Sequence, residues 1–79
     1  MKETTAGLTE TMLETLDMDA FIKAVGKFDV VTRRQCLLKA RRELWKPRVI
    51  NLHGTERTKA AMDAIRAALE QNRAEPVAG

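Results

Sequence analysis

Apolar residues in this chain never run longer than three in a row; they recur at spacings of three and four, punctuated by Asp17, Gly26, Pro47 and Gly54. Such a pattern excludes a membrane-spanning segment, which needs about 20 consecutive apolar residues. Its period is that of amphipathic α-helices rather than strands. With 44% of residues apolar and 32% charged, the chain carries enough apolar surface to fold as a soluble domain. The expected fold is all-α, a small bundle of three to four helices.

At 79 residues there is room for a single core. A domain this short buries about 60–65% of its unfolded surface, and such a core seldom supplies more than ~3–5 kcal/mol. A homodimer is therefore expected. The first ten residues carry Glu3 and Glu10 and no apolar stretch, unlike a secretory leader. The single cysteine, Cys36, cannot close an intramolecular disulfide, which fits a reducing, cytoplasmic setting.

Local signals place the helices. Leu8, Met12, Leu13 and Leu16 share helical spacing, with Thr11 and Glu14 as a capping-box pair. Continuing that helix would turn Met18, Phe21, Ile22 and Val25 onto another face, so Asp17 reads as the N-cap of a second helix and Gly26 as its C′ residue. Thr32 with Gln35, flanked by Val31 and Cys36 as a hydrophobic staple, predicts a third helix to Trp45, halted by Pro47. Residues 47–54 read as a connector. Thr55 then caps a last helix to Asn72, rich in Ala60, Ala61, Ala64, Ala67 and Ala68. Its Lys59, Asp63, Arg66, Glu70 and Arg73 read as a solvated salt-bridge ladder. Residues 1–73 form one helical domain on this reading, and residues 74–79, with Pro76, a flexible tail.

Charge is distributed unevenly. Residues 1–20 set one lysine against five carboxylates, a net of −4, and residues 21–60 set eleven lysines and arginines against three carboxylates, a net of +8. A basic block calls for an anionic partner. On a helical projection from Val30 to Lys46 the polar face holds Thr32, Gln35, Lys39, Arg42, Glu43 and Lys46. Cys36, Leu37, Ala40 and Leu44 lie on one opposite flank, and Val31, Leu38 and Trp45 on the other. Arg34 and Arg41, one heptad apart, fall between the flanks.

Two functions follow from this helix. In the first, Arg33, Arg34, Lys39, Arg42, Lys46 and Arg48 neutralise phosphates, and the turn at Gly26 gives a helix-turn-helix-like, transcription-regulator-like protein that binds DNA. The interior positions of such a recognition helix would be Thr32 and Gln35, which are not apolar. In the second, the middle helix is only partly covered, and Arg34, Leu38, Arg41 and Trp45 dock an acidic protein surface, as an inhibitor or adaptor would. The bland alternative for Arg34 and Arg41 is that they reach Glu10 or Glu14. The acidic start is also expected to cover the basic helix and restrain binding.

Catalysis is not expected, because the chain has no Ser, no Tyr, one His and one Cys. Cys36 and His53 alone fall short of any zinc ligand set. Gly7, Gly26, Gly54 and Gly79 are isolated, so no phosphate loop and no cofactor site is implied. His53 beside Gly54 reads as a turn residue, Cys36 as a small core hydrophobe, and Phe21, Phe28 and Trp45 as core aromatics.

Overall fold

The computed structural model describes residues 5–74. Five helices follow in order: α1 (Thr5–Thr15), α2 (Met18–Val25), α3 (Val30–Leu44), α4 (Pro47–His53) and α5 (Thr55–Ala74). Among the described residues there is no strand, so the all-helical expectation holds. Among the described residues there are five helices, because the expected connector is itself helical. The end of the expected tail, residues 75–79, lies outside the described residues.

The break between α1 and α2 falls where expected, by an unexpected device. Leu16 adopts φ 51°, a left-handed conformation costing an L-residue roughly 1–2 kcal/mol. Its amide donates to the Met12 carbonyl at 2.7 Å, and its side chain packs against the core. Thr15 Oγ1 donates to the Thr11 carbonyl at 3.0 Å and accepts from the Asp17 amide at 3.2 Å. Thr11 is thus interior to α1 rather than its cap. Asp17 does cap α2, accepting from the Ala20 amide at 3.2 Å.

Gly26 ends α2 as expected, as its C-cap, but without the left-handed turn of a C′ glycine. It stays right-handed at φ −61°, and the amides of Lys27 and Phe28 donate to Ala24 and Val25 carbonyls. The chain therefore leaves α2 through tightened turns. The cap of α3 is Asp29, three residues before the expected Thr32, and its Oδ2 accepts from the Thr32 amide at 3.3 Å. The Thr32 hydroxyl and amide hold the Asp29 carboxyl below its ordinary value, and a carboxylate at a helix start also meets the positive end of the helix dipole. Val31 is 60% exposed, so it does not staple onto Cys36.

Pro47 ends α3 and starts α4. At the first helical position its missing N–H leaves no bond unmade, and the Lys46 carbonyl accepts from Val49 and Ile50. The expected connector is therefore largely helix. Gly54, at φ 89°, reverses the chain in a single residue, a conformation that favours glycine. Its carbonyl accepts from the Thr58 amide and hydroxyl. Thr55 is therefore the first helical residue of α5 and not its cap.

The core joins Met12 and Leu13 of α1, Phe21 and Val25 of α2, and Cys36, Leu37, Ala40 and Leu44 of α3 to Val49, Ala61, Met62, Ile65 and Leu69. Helix α3 is the hub, packing on all four others and most extensively on α5. Cys36 is buried as expected, and burial pushes its thiol above the ordinary value, against the opposing charge of Lys39. Trp45 is not a core aromatic, being 55% exposed. His53 does more than turn the chain: its Nε2 donates to the Leu13 carbonyl at 2.7 Å and ties α4 to α1.

One polar cluster fixes how α3 lies on α5. Arg33 Nη1 donates to Asn72 Oδ1 at 3.2 Å, and Nη2 donates to the carbonyls of Phe28 at 3.0 Å and Gly26 at 3.3 Å. Buried Asn72 in turn donates from Nδ2 to the Val30 carbonyl at 3.2 Å. The start of α3, the turn before it and the end of α5 are locked together, so α3 and α5 run antiparallel. Only a planar fork can serve three acceptors in this arrangement. Arg33→Lys should therefore lower stability almost as far as Arg33→Ala, by about 1–3 kcal/mol. A double-mutant cycle with Asn72→Ala by urea unfolding should give a non-zero coupling, whereas simple additivity would contradict the lock.

Candidate functional site

The antiparallel register has a geometric consequence. Arg33 lies against Asn72, so Arg34 and Arg73, the residues adjoining that contact, lie at the same end of the seam. A heptad further along it come Arg41 and Arg66 at nearly one level, and four residues beyond these Trp45 and Met62. The surface agrees. A cleft of about 500 Å³ is lined by Arg34, Leu38, Arg41, Arg66, Leu69, Glu70 and Arg73. An adjoining one of about 270 Å³ is lined by Leu38, Arg41, Arg42, Trp45, Met62 and Arg66. Together they form one groove along the α3–α5 seam.

Its chemistry is unusual for a surface with no partner. Half-buried Leu38 and the buried Met62 and Leu69 make an apolar floor. Two rungs of arginine stand on it, Arg34 with Arg73 and Arg41 with Arg66, seven residues or about 10 Å apart along each helix. Trp45 closes one end. Glu70 is the one carboxylate in the lining, and it holds Arg73 only loosely, at 3.9 Å between largely exposed side chains. Among the described residues Arg34, Arg41 and Arg66 form no ion pair. Like charges gathered this way repel one another unless an anion is supplied.

The four residues singled out for protein docking, Arg34, Leu38, Arg41 and Trp45, all line this groove. The six singled out for nucleic acid are dispersed. Arg33 turns inward, its guanidinium committed to Asn72, Gly26 and Phe28. Arg34 and Arg42 belong to the groove. Lys39, Lys46 and Arg48 surround Glu43, whose carboxyl is held below its ordinary value first by the 2.9 Å bond from Lys46 Nζ and then by the nearby charges of Lys39 and Arg48.

Sequence reasoning missed Arg66 and Arg73, which it assigned to a solvated ladder. Their heptad spacing on α5, matching that of Arg34 and Arg41 on α3, was the available signal. It acquires meaning only once the two helices are known to be antiparallel neighbours. Neither Glu10 nor Glu14 reaches Arg34 or Arg41. Both line a separate cleft between α1 and α4, beside Arg48. Glu10 and Glu14 therefore do not cover the arginine strip of α3; Glu3, in the same acidic start, lies outside the described residues.

Among the described residues no three His, Cys, Asp or Glu side chains gather as a metal set, and no helix is long and apolar enough to cross a membrane. Searches of protein-family models, curated proteins and solved structures return no match to this chain. The groove must be read from its own chemistry.

Trp45 reports on that groove directly. Since it is the C-cap residue of α3 and more than half exposed, Trp45→Ala should cost less than about 1 kcal/mol of stability. The wild-type indole should be readily quenched by acrylamide. A Trp45→Ala protein that unfolds would instead make the residue part of the core.

Proposed function

We propose that this protein is a non-catalytic binding module, an inhibitor or adaptor, that takes an acidic segment of a protein partner into the groove between α3 and α5. The observation carrying this reading is the pair of arginine rungs on an apolar floor. Guanidinium groups bind carboxylates bidentately, and an incoming acidic segment would relieve the repulsion among the five arginines that line the groove. Arg and Trp are also the residue types that dominate interface energetics when a partner excludes water around them.

The apolar floor favours protein over DNA. A phosphodiester backbone has nothing apolar to lay on Leu38, Met62 and Leu69, whereas an acidic segment with interspersed leucines has both. The DNA reading keeps one specific observation in its favour, the basic cluster of Lys39, Lys46 and Arg48 about Glu43. That cluster would act as a phosphate contact with strong salt dependence. The reading also includes a homodimer, because a core this small leaves little stability in one copy.

The two partners separate by mutation. Binding of an acidic amphipathic peptide of alternating Glu and Leu triplets, followed by anisotropy, should shift Trp45 emission. Arg41→Glu with Arg66→Glu should weaken it by about 30-fold or more, the equivalent of a hot-spot loss of about 2 kcal/mol. Lys39→Ala with Lys46→Ala should leave it nearly unchanged. Steeply salt-dependent binding of a mixed-sequence DNA duplex, lost in the second pair and retained in the first, would overturn the protein reading in favour of DNA.

A further inference from the structure

A second cleft, of about 620 Å³, separates α1 from α4. Glu10 and Glu14 stand on its α1 wall and Arg48 and Leu52 on its α4 wall, with buried Leu13 and Val49 also in the lining. The hydrogen bond from His53 Nε2 to the Leu13 carbonyl ties the two walls, so the cleft is preformed. Leu52, 65% exposed, is the most exposed large apolar side chain among the described residues. Arg48, Glu10 and Glu14 share the cleft, yet none of the three forms an ion pair among the described residues.

This patch carries both halves of its own complement: an apolar knob and a cleft with an apolar base, an acidic wall and a cationic one. We infer that a second copy of this chain occupies it, related by a two-fold axis that sets α4 of each copy against α1 of the other. A two-fold interface uses the same surface twice and must be self-complementary. Here the rotation seats Leu52 of each copy in the cleft of its partner, over Leu13 and Val49. It also brings Arg48 of each copy, which within one copy has only the nearby charge of Glu43, to the Glu10 and Glu14 wall of the other. The inference locates the homodimer included in the functional reading above and is independent of the arginine groove, which lies along the α3–α5 seam and stays open in such a dimer.

Sedimentation equilibrium of the full chain, from micromolar to near-millimolar concentration, tests it. The wild type should have twice the 8.9 kDa chain mass. Leu52→Asp alters an exposed side chain, so it should keep its helical circular dichroism and run as a monomer. Arg48→Glu should weaken the dimer by about tenfold or more, and adding Glu14→Arg to it should restore association. A wild type that stays monomeric throughout would overturn the dimer itself. A dimer that survives both Leu52→Asp and Arg48→Glu would overturn this surface while leaving the dimer in place. Failure of Glu14→Arg to rescue Arg48→Glu would overturn the charge pairing.

Discussion

The fork of hydrogen bonds from Arg33 is the constraint on which the remaining geometry rests. It joins the end of α5, through Asn72, to the turn that begins α3, and so sets both the direction and the register of the largest helix pair. That contact also places Arg34 and Arg73 at one end of the seam, with Arg41 and Arg66 a heptad further along the same groove. A half-buried guanidinium is costly unless every acceptor is well placed, and this cost is what makes the register specific.

Much of the fold was legible because it depends on local rules. Asp17 as a cap, the helical period of α1, α2, α3 and α5, and the buried flank of Cys36, Leu37, Ala40 and Leu44 all follow from spacing and from the chemistry of helix ends. Errors arose where two local rules competed. Thr32 and Gln35 fit a capping box, yet Asp29 is the stronger acceptor and starts the helix earlier. Pro47 terminates one helix and is equally suited to begin another, so a short helix was read as a connector. Leu16 takes a left-handed conformation that sequence rules reserve for glycine, and packing of its side chain compensates.

The site was legible in half. Arg34, Leu38, Arg41 and Trp45 were evident from one helical projection, because they belong to one helix. Arg66 and Arg73 belong to another, and no rule of spacing says which helices become neighbours. Arg33 was the opposite case: by composition it belonged with the basic block, and only tertiary structure turns it from a surface cation into an internal brace. Charge counts treat these arginines alike, although the fold gives them opposite tasks.

Five arginines line the groove, with one loosely held carboxylate among them, and the proposed acidic partner would have to engage them together. Whether the arginines act as one unit is therefore the central question. Side-chain Nε–Hε NMR shifts of the arginines and the Trp45 indole, followed while the acidic amphipathic peptide is titrated in, answer it most directly. The account predicts that Arg34, Arg41, Arg66, Arg73 and Trp45 shift together at one midpoint while Arg33 stays fixed. Shifts confined to Arg48 and the lysines around Glu43, with Arg34, Arg41, Arg66 and Arg73 unmoved, would contradict it.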